Sequence, residues 1–129
     1  LRINAEYNWM IHFTSRSVGK IDIGKNVWIS FAVSGGCYFQ GNNGITIGDN
    51  TIIAPNVIIV SANHDRNSLN KWVKGPPIKI GDSCWIGADA KILPGVTLGD
   101  RVTVGAGSVV TKSFASNTTI VGNPARKVN

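Results

Sequence analysis

The sequence predicts an all-β protein built as a parallel β-helix, and three observations carry this prediction. Aliphatic residues recur every six positions, glycine occurs 15 times in 129 residues, and only one of the seven acidic residues is Glu. A six-residue spacing matches neither an amphipathic helix nor an alternating sandwich strand. Three six-residue sides close one turn of a triangular coil, so the chain supplies about five to six turns.

The six-residue repeat runs in two segments, from Ile23 to Ile59 and from Ile80 to Val110. Eleven of the thirteen positions it visits are Ile, Leu or Val, which together make up only 33 of the 129 residues. We expect these side chains to fill the interior, and the position after each of them is usually a small or turn-forming corner residue. A second inward set four positions later comprises Val27, Val33, Ile45, Thr51, Val57, Cys84, Ala90, Val96 and Val102.

The repeat is interrupted between Ile59 and Ile80, whose spacing is not a multiple of six. The gap is either a full turn with three additional residues or one side carrying a fifteen-residue excursion. The polar segment 64–77 favours a projecting loop. Residues 116–129 leave the period and are expected to form a tail over the end of the coil. The whole of 1–129 is then a single domain.

Composition restricts the function classes. The net charge of +6 favours an anionic partner, but the basic residues are scattered, so nucleic-acid binding is not expected. No apolar run approaches the roughly 20 residues of a membrane span. Cys37 and Cys84 are expected to be reduced thiols. The first residues lack a signal-peptide pattern, which favours a cytoplasmic location.

His64 is the strongest candidate for catalysis. It lies at a predicted corner, five residues after Ile59, where the loop departs. A positioned imidazole there can accept a proton from a hydroxyl or an amine, although a solvated turn histidine is an equally good interpretation of position alone. His12 near the start is expected to be structural. Two histidines are too few for a three-histidine zinc site in one chain, so no metal is expected.

An ordered set of short motifs resembles the hexapeptide-repeat acyltransferases, and more closely the galactoside, maltose and polysaccharide O-acetyltransferases. This resemblance covers roughly residues 21–128, and it implies a left-handed coil. The motifs that carry it are Ile47-Gly48-Asp49-Asn50, Ala54-Pro55-Asn56-Val57, Asn63-His64-Asp65, Trp85-Ile86-Gly87, Leu93-Pro94-Gly95-Val96, Gly105-Ala106-Gly107-Ser108, Val110-Thr111-Lys112 and Gly122-Asn123-Pro124-Ala125-Arg126.

The resemblance implies an activity and a cofactor site. His64 would be the general base that activates an acceptor for direct attack on acetyl-CoA. Members of this family are usually homotrimers with sites between subunits, which implies the same here. The residues implied to contact the cofactor are Trp85 and Ala88 along the pantetheine arm, Ala106, Thr111 and Lys112 toward the nucleotide, and Arg126 at a phosphate.

The acceptor is predicted less directly. Gln40, Asn43 and Asp65 are candidate substrate-binding residues, because amides and a carboxylate hydrogen-bond to sugar hydroxyls; turn formation explains the two amides equally well. We expect O-acetylation of a sugar or a cell-surface polysaccharide precursor. The alternatives are N-acetylation of an amino sugar, acetylation of a serine-type substrate, and a non-catalytic β-helical scaffold.

Overall fold

The structure is a computed structural model, and it describes residues 2–3 and 8–129. These described residues form sixteen short strands and one helix. In chain order these are β1 (Arg2–Ile3), β2 (Met10–Ile11), β3 (Arg16–Ile23), α1 (Val27–Val33), β4 (Tyr38–Ile47), β5 (Ile52–Ile53), β6 (Ile58–Val60), β7 (His64–Asp65), β8 (Ser68–Trp72), β9 (Ile78–Ile80), β10 (Trp85–Ile86), β11 (Lys91–Ile92), β12 (Thr97–Leu98), β13 (Thr103–Val104), β14 (Val109–Val110), β15 (Thr119–Gly122) and β16 (Ala125–Lys127).

The parallel strands stack in three rows, which form the three sides of a coil. The first row runs from the start of β4 through β6 and β11 to β14, and the second from the end of β4 through β9 to β12. The third row runs from β5 through β10 and β13 to β15. From Ile80 to Val110, successive turns are offset by three six-residue sides, as the pairing of Ile86 with Val104 shows, whereas the last turn is two residues shorter and pairs Val104 with Ile120. The predicted turn length is therefore confirmed from Ile80 to Val110.

Most side chains that were predicted to point inward form the core. From β4 onward, each named interior residue is at most 3% exposed. Their β-branched and aliphatic side chains stack turn upon turn, which buries apolar surface without any second layer of structure. These residues are Ile45, Ile47, Thr51, Ile53, Val57, Ile59, Ile80, Cys84, Ile86, Ala90, Ile92, Val96, Leu98, Val102, Val104 and Val110.

A ladder of side chains ties one corner of the coil. The Oδ1 atoms of Asp49, Asp82 and Asp100 accept hydrogen bonds from the backbone N–H groups of Lys25, Asp49 and Asp82, each at 2.8 Å. Ser116 continues the ladder by accepting from the N–H of Asp100. Each oxygen satisfies a corner N–H of the preceding turn, so adjacent turns are held in one register.

The prediction of an all-β chain is wrong at one place, because residues 27–33 form helix α1. Val27 and Phe31 are buried in the core, whereas Ile29 is 47% and Val33 71% exposed. Side chains four residues apart lie on the same face of a helix, which explains why Val27 and Phe31 are buried together. The inward positions predicted for Ile29 and Val33 are therefore wrong.

Helix α1 occupies the place that a strand would take at the start of the third row. The Ser30 hydroxyl accepts a hydrogen bond from the N–H of Ile53 at 3.1 Å, and the Ser34 hydroxyl donates to the carbonyl of Ile53 at 2.7 Å. These two side chains supply the hydrogen bonds that a neighbouring strand would otherwise give to β5.

The six-residue repeat also does not predict the inward positions correctly between α1 and Ile47. β3 and β4 pair in parallel, but their register shifts between Gly19 and Ile21. The interior residue of the first row is Phe39, which pairs with Ile59. The predicted phase through Gly35 and Gly41 is therefore wrong, because it passes through a helix and then a register shift.

The excursion has the length of the second predicted alternative. Ile47 pairs with Ile80, so the chain between them makes one regular turn and adds a fifteen-residue insertion. Within it, β7 and β8 form an antiparallel hairpin. At the other end of the chain, β15 still stacks in parallel on β13, and only β16 turns back antiparallel against β15. The coil thus continues into the segment that was predicted to be a tail.

Candidate active site

His64 lies in β7, on the hairpin that projects from the coil. The residue is exposed and pairs with Trp72 across the hairpin. Its Nδ1 atom lies 2.7 Å from the carbonyl oxygen of Leu69. A carbonyl oxygen only accepts hydrogen bonds, so Nδ1 is the donor and carries the proton. In the neutral imidazole Nε2 then has the free lone pair, which is the protonation state that a general base requires.

The hairpin is held at its base by two amide side chains. Gln40 donates from Nε2 to the carbonyl of Ala62 at 3.1 Å, and its Oε1 accepts from the N–H of Ala62 at 3.1 Å. Asn43 donates from Nδ2 to the carbonyls of Ser61 and Val73, at 3.1 and 2.9 Å. Gln40 therefore holds the first end of the excursion, and Asn43 joins its two ends, which uses both Nδ2 protons of Asn43.

Asp65 follows His64 and closes the turn of the hairpin. Its Oδ1 accepts a hydrogen bond from the backbone N–H of Asn67 at 2.7 Å. A carboxylate that accepts from the N–H two residues later is a common way to form a tight turn. This contact fixes the turn that precedes Leu69, the residue whose carbonyl orients His64.

A separate apolar groove of about 390 Å³ lies at another corner of the coil. Trp85, 58% exposed, forms one wall. Ala88 and Ala106 line it, so three of the predicted cofactor-contacting residues lie together. Ala54 and Gly87 also line this groove and were not predicted as part of it, although the corner positions of successive turns would have indicated them.

Gly87 lines this groove and lies directly against the backbone of the next turn. A Cβ at this position would lie 2.6 Å from the carbonyl oxygen of Val104 and 2.8 Å from the N–H nitrogen of Ala106. No side chain fits so close to the backbone of the next turn. Glycine here therefore allows neighbouring turns to approach each other closely beside Trp85 in the apolar groove.

Thr111, Lys112 and Arg126 do not line that groove. Thr111 and Lys112 follow β14, and the excursion leaves the coil after β6, which lies two turns earlier in the same row of strands. Lys112 lies over the ring of Phe114, with Nζ 5.5 Å from the ring centroid. Arg126 is exposed on β16. Within one chain, the residues predicted to contact the cofactor therefore do not all lie at the same corner of the coil.

The two cysteines are free and buried. Desolvation by burial raises the pKa of both the Cys37 and the Cys84 thiol. Both thiols are therefore protonated at neutral pH and are poor nucleophiles. Across residues 8–129, no three His, Cys, Asp or Glu side chains are grouped so as to hold a metal ion.

Comparison with known proteins identifies the family of the chain. The profile of the family described as "Bacterial transferase hexapeptide (six repeats)" matches residues 77–112. Galactoside O-acetyltransferase of Escherichia coli (strain K12) is 39% identical over 111 residues, which cover 84% of this chain. This chain belongs to the hexapeptide-repeat acetyltransferase family. The hexapeptide-repeat family is consistent with a left-handed β-helix; the handedness of this chain stays a prediction.

Solved structures of other hexapeptide-repeat acetyltransferases superpose well on the chain. A maltose O-acetyltransferase from Clostridium difficile 630 gives a TM-score of 0.76 at 40% identity, covering 91% of this chain and 63% of that one. A galactoside acetyltransferase in complex with coenzyme A gives 0.75 at 34% identity, covering 95% and 62%. The match to the Escherichia coli relative spans 53% of that protein's length. Within the described residues, no helix has the length and hydrophobicity that crossing a membrane requires.

Proposed function

We propose that this chain is an acetyl-CoA-dependent O-acetyltransferase acting on a hydroxyl of a sugar or of a cell-surface polysaccharide precursor, in the cytoplasm. The observation that carries the proposal is the hydrogen bond from His64 Nδ1–H to the Leu69 carbonyl, which leaves Nε2 free and exposed. Membership of the acetyltransferase family supports the reaction type. Two free, buried thiols agree with a reducing compartment.

The proposed reaction is a direct transfer. Nε2 of His64 takes the proton from the acceptor hydroxyl as its oxygen attacks the thioester carbonyl carbon of acetyl-CoA. The tetrahedral intermediate collapses, the carbon–sulfur bond breaks, and the proton on Nε2 passes to the departing thiolate. The products are an acetyl ester and CoA, and the imidazole returns to its neutral state. The Leu69 carbonyl holds the orientation of the ring through the cycle.

Acetyl-CoA fits the surfaces available. The groove beside Trp85 is apolar and lined by small residues, which suits the slender pantetheine arm. Lys112, Arg126 and Lys127 are exposed, and none of them is in an ion pair within the described part of the chain. We propose that they meet the phosphates of the nucleotide, with Thr111 beside Lys112.

Replacing Lys112 or Arg126 with glutamine is expected to raise the Kd for CoA by about 3- to 10-fold, because each replacement removes a charged donor to a phosphate. Isothermal titration calorimetry measures this directly. Pantetheine is the matched control ligand, since it lacks the nucleotide, and its affinity should not change. Unaltered CoA affinity in both variants would contradict the proposed phosphate contacts.

We further propose that the active unit is a homotrimer with a cofactor site between neighbouring chains. Trp85, Ala88 and Ala106 lie at one corner of the coil, and Thr111 and Lys112 at the next. One cofactor contacts both groups if two chains place these corners side by side. The exposed apolar surface around Trp85, which includes Ile52 in the adjacent strand, offers an interface for a second copy.

The trimer predicts a mass of three times 13.7 kDa, about 41 kDa, by light scattering. A sharper test combines two defective variants. Trp85→Ala and Lys112→Gln chains should each bind CoA weakly alone, but mixed trimers should regain some tight sites, where an intact Trp85 faces an intact Lys112. A monomeric mass, or mixtures that bind no better than their parents, would overturn the shared site.

The acetyl transfer itself is tested by incubating the protein with acetyl-CoA and a panel of sugars, amino sugars and serine. Release of the free thiol reports turnover, and mass spectrometry locates the acetyl group on oxygen or nitrogen. We expect an acetyl ester on a sugar. Acetylation of an amine alone would replace the proposal with N-acetyl transfer, and a chain that binds no CoA would favour the scaffold alternative.

A further inference from the structure

The end of β8 and the residues that follow it form a second recess, which the reaction proposed above does not use. Asn70, Lys71, Trp72 and Lys74 line this recess of about 250 Å³. The indole of Trp72 is 48% exposed, although a side chain of this size and hydrophobicity is usually covered. The recess therefore combines an accessible aromatic face, an amide and two ammonium groups.

The excursion carries an uncompensated positive charge. Between His64 and Lys74 there are three basic residues, Arg66, Lys71 and Lys74, and one acidic residue, Asp65. The Asp65 carboxylate already accepts from the N–H of Asn67. The ion pairs found among residues 8–129 join Lys20 to Asp22 and Lys91 to Asp89, away from the hairpin. Lys71 and Lys74 are thus available to an anion from outside.

The recess adjoins the proposed base. His64 and Trp72 are directly opposite each other in the antiparallel pair of β7 and β8. Opposite residues in such a pair have Cβ atoms about 4.5–5.5 Å apart on the same face. A sugar ring that lies on the Trp72 indole is therefore within one ring width of the imidazole of His64.

We propose that the acceptor is an anionic saccharide and that this recess selects it. Trp72 stacks on the apolar C–H face of the sugar ring, and Lys71 and Lys74 hold a carboxylate or a phosphate on the same sugar or its neighbour. Asn70 offers an amide to a ring hydroxyl. This inference rests on the O-acetyltransferase activity proposed above and narrows its substrate class.

The test compares acceptors that differ only in charge: the methyl glycosides of glucose and galactose, their uronates, and their 6-phosphates. With saturating acetyl-CoA, the charged acceptors should have the higher kcat/KM. Lys71→Gln/Lys74→Gln should raise KM for the charged acceptors by about 3- to 30-fold and leave the neutral ones unchanged. Lys25→Gln, which removes an exposed charge far from the hairpin, is the matched control. The uronate and phosphate series tell the two anions apart.

Several outcomes would overturn the proposal. Neutral acceptors that react as well as charged ones would contradict it, as would lysine variants with an unchanged KM or an equal loss for all acceptors. Binding gives a readout that does not depend on turnover: a uronate oligosaccharide should bind the His64→Ala protein in the presence of CoA, and this binding should be lost in the double lysine variant. If the oligosaccharide binds but the native protein shows no turnover, the proposed activity is contradicted and the anionic site is still supported. If the oligosaccharide does not bind, the anionic site is contradicted.

Discussion

Replacing His64 with alanine is expected to lower kcat by about 10²- to 10⁴-fold, the usual contribution of a positioned general base. The affinity for CoA should change by less than about twofold, because His64 is neither part of the apolar groove nor one of the cations proposed to meet the phosphates. Thiol release under saturating acetyl-CoA measures the first quantity, and calorimetry measures the second. A variant that keeps its turnover would show that another group removes the proton.

His64→Asn separates the base from the geometry. The Asn amide reproduces the N–H that His64 donates to the Leu69 carbonyl, but it has no atom that takes the place of the basic Nε2. This variant should therefore keep the hairpin intact and still lose turnover. The matched control is His12→Asn, since the side chain of His12 hydrogen-bonds within its own turn, to Thr14. It should remain active.

Ile59→Ala is expected to lower the free energy of unfolding by about 2–5 kcal/mol, the range for removing an Ile side chain from a packed core. Ile59 is fully buried and its strand pairs on both sides, with β4 and with β11. Neighbouring turns cannot close the space, because each is held by its own backbone hydrogen bonds. Urea denaturation followed by circular dichroism measures the loss.

Ile58→Ala is the matched control for that experiment. Ile58 is the same residue type in the same strand, but its side chain points to the opposite face and is only half-buried. This substitution should lower the free energy of unfolding by about 1 kcal/mol or less. Equal losses in the two variants would contradict the inward orientation on which the coil depends.

The coil from Ile80 to Val110 could be predicted from the sequence almost residue by residue. Ile80, Ile86, Ile92, Leu98 and Val104 keep a strict six-residue spacing, and all of them are buried. A corner after every six residues leaves little freedom, because the backbone of the next turn lies directly above. A regular repeat of this kind therefore encodes its own three-dimensional period.

The earlier part of the coil could not be predicted in this way. Val27 and Val33 are six residues apart, so they fit the phase, but Val27 and Phe31 also fit the four-residue spacing of a helix. The segment forms a helix because Phe31 then stacks on Phe39, with ring centroids 4.4 Å apart, and packs edge-on against Trp9. Contacts between residues so distant in the sequence leave no periodic signal.

The sequence could name candidate residues for the site, but it could not predict the contacts that position them. The sequence indicated His64 by its corner position and by the family motif, and the structure places it on an exposed hairpin. The partner that orients it is the backbone carbonyl of Leu69, and a carbonyl has no residue-specific signal in a sequence. Gln40 and Asn43 were predicted as acceptor contacts, yet their hydrogen bonds are to the backbone of the excursion.

The two ends of the third row bear on how the protein avoids forming fibres. A stack of parallel strands normally exposes an open edge at each end, and such edges invite further chains to add. Here helix α1 lies at one end of the row, and β16 folds back antiparallel on β15 at the other, with Arg126 and Lys127 exposed. Strand β16 and helix α1 therefore cover the two ends of the third row, to which further strands could otherwise be added. This side of the coil thus resists end-to-end polymerisation.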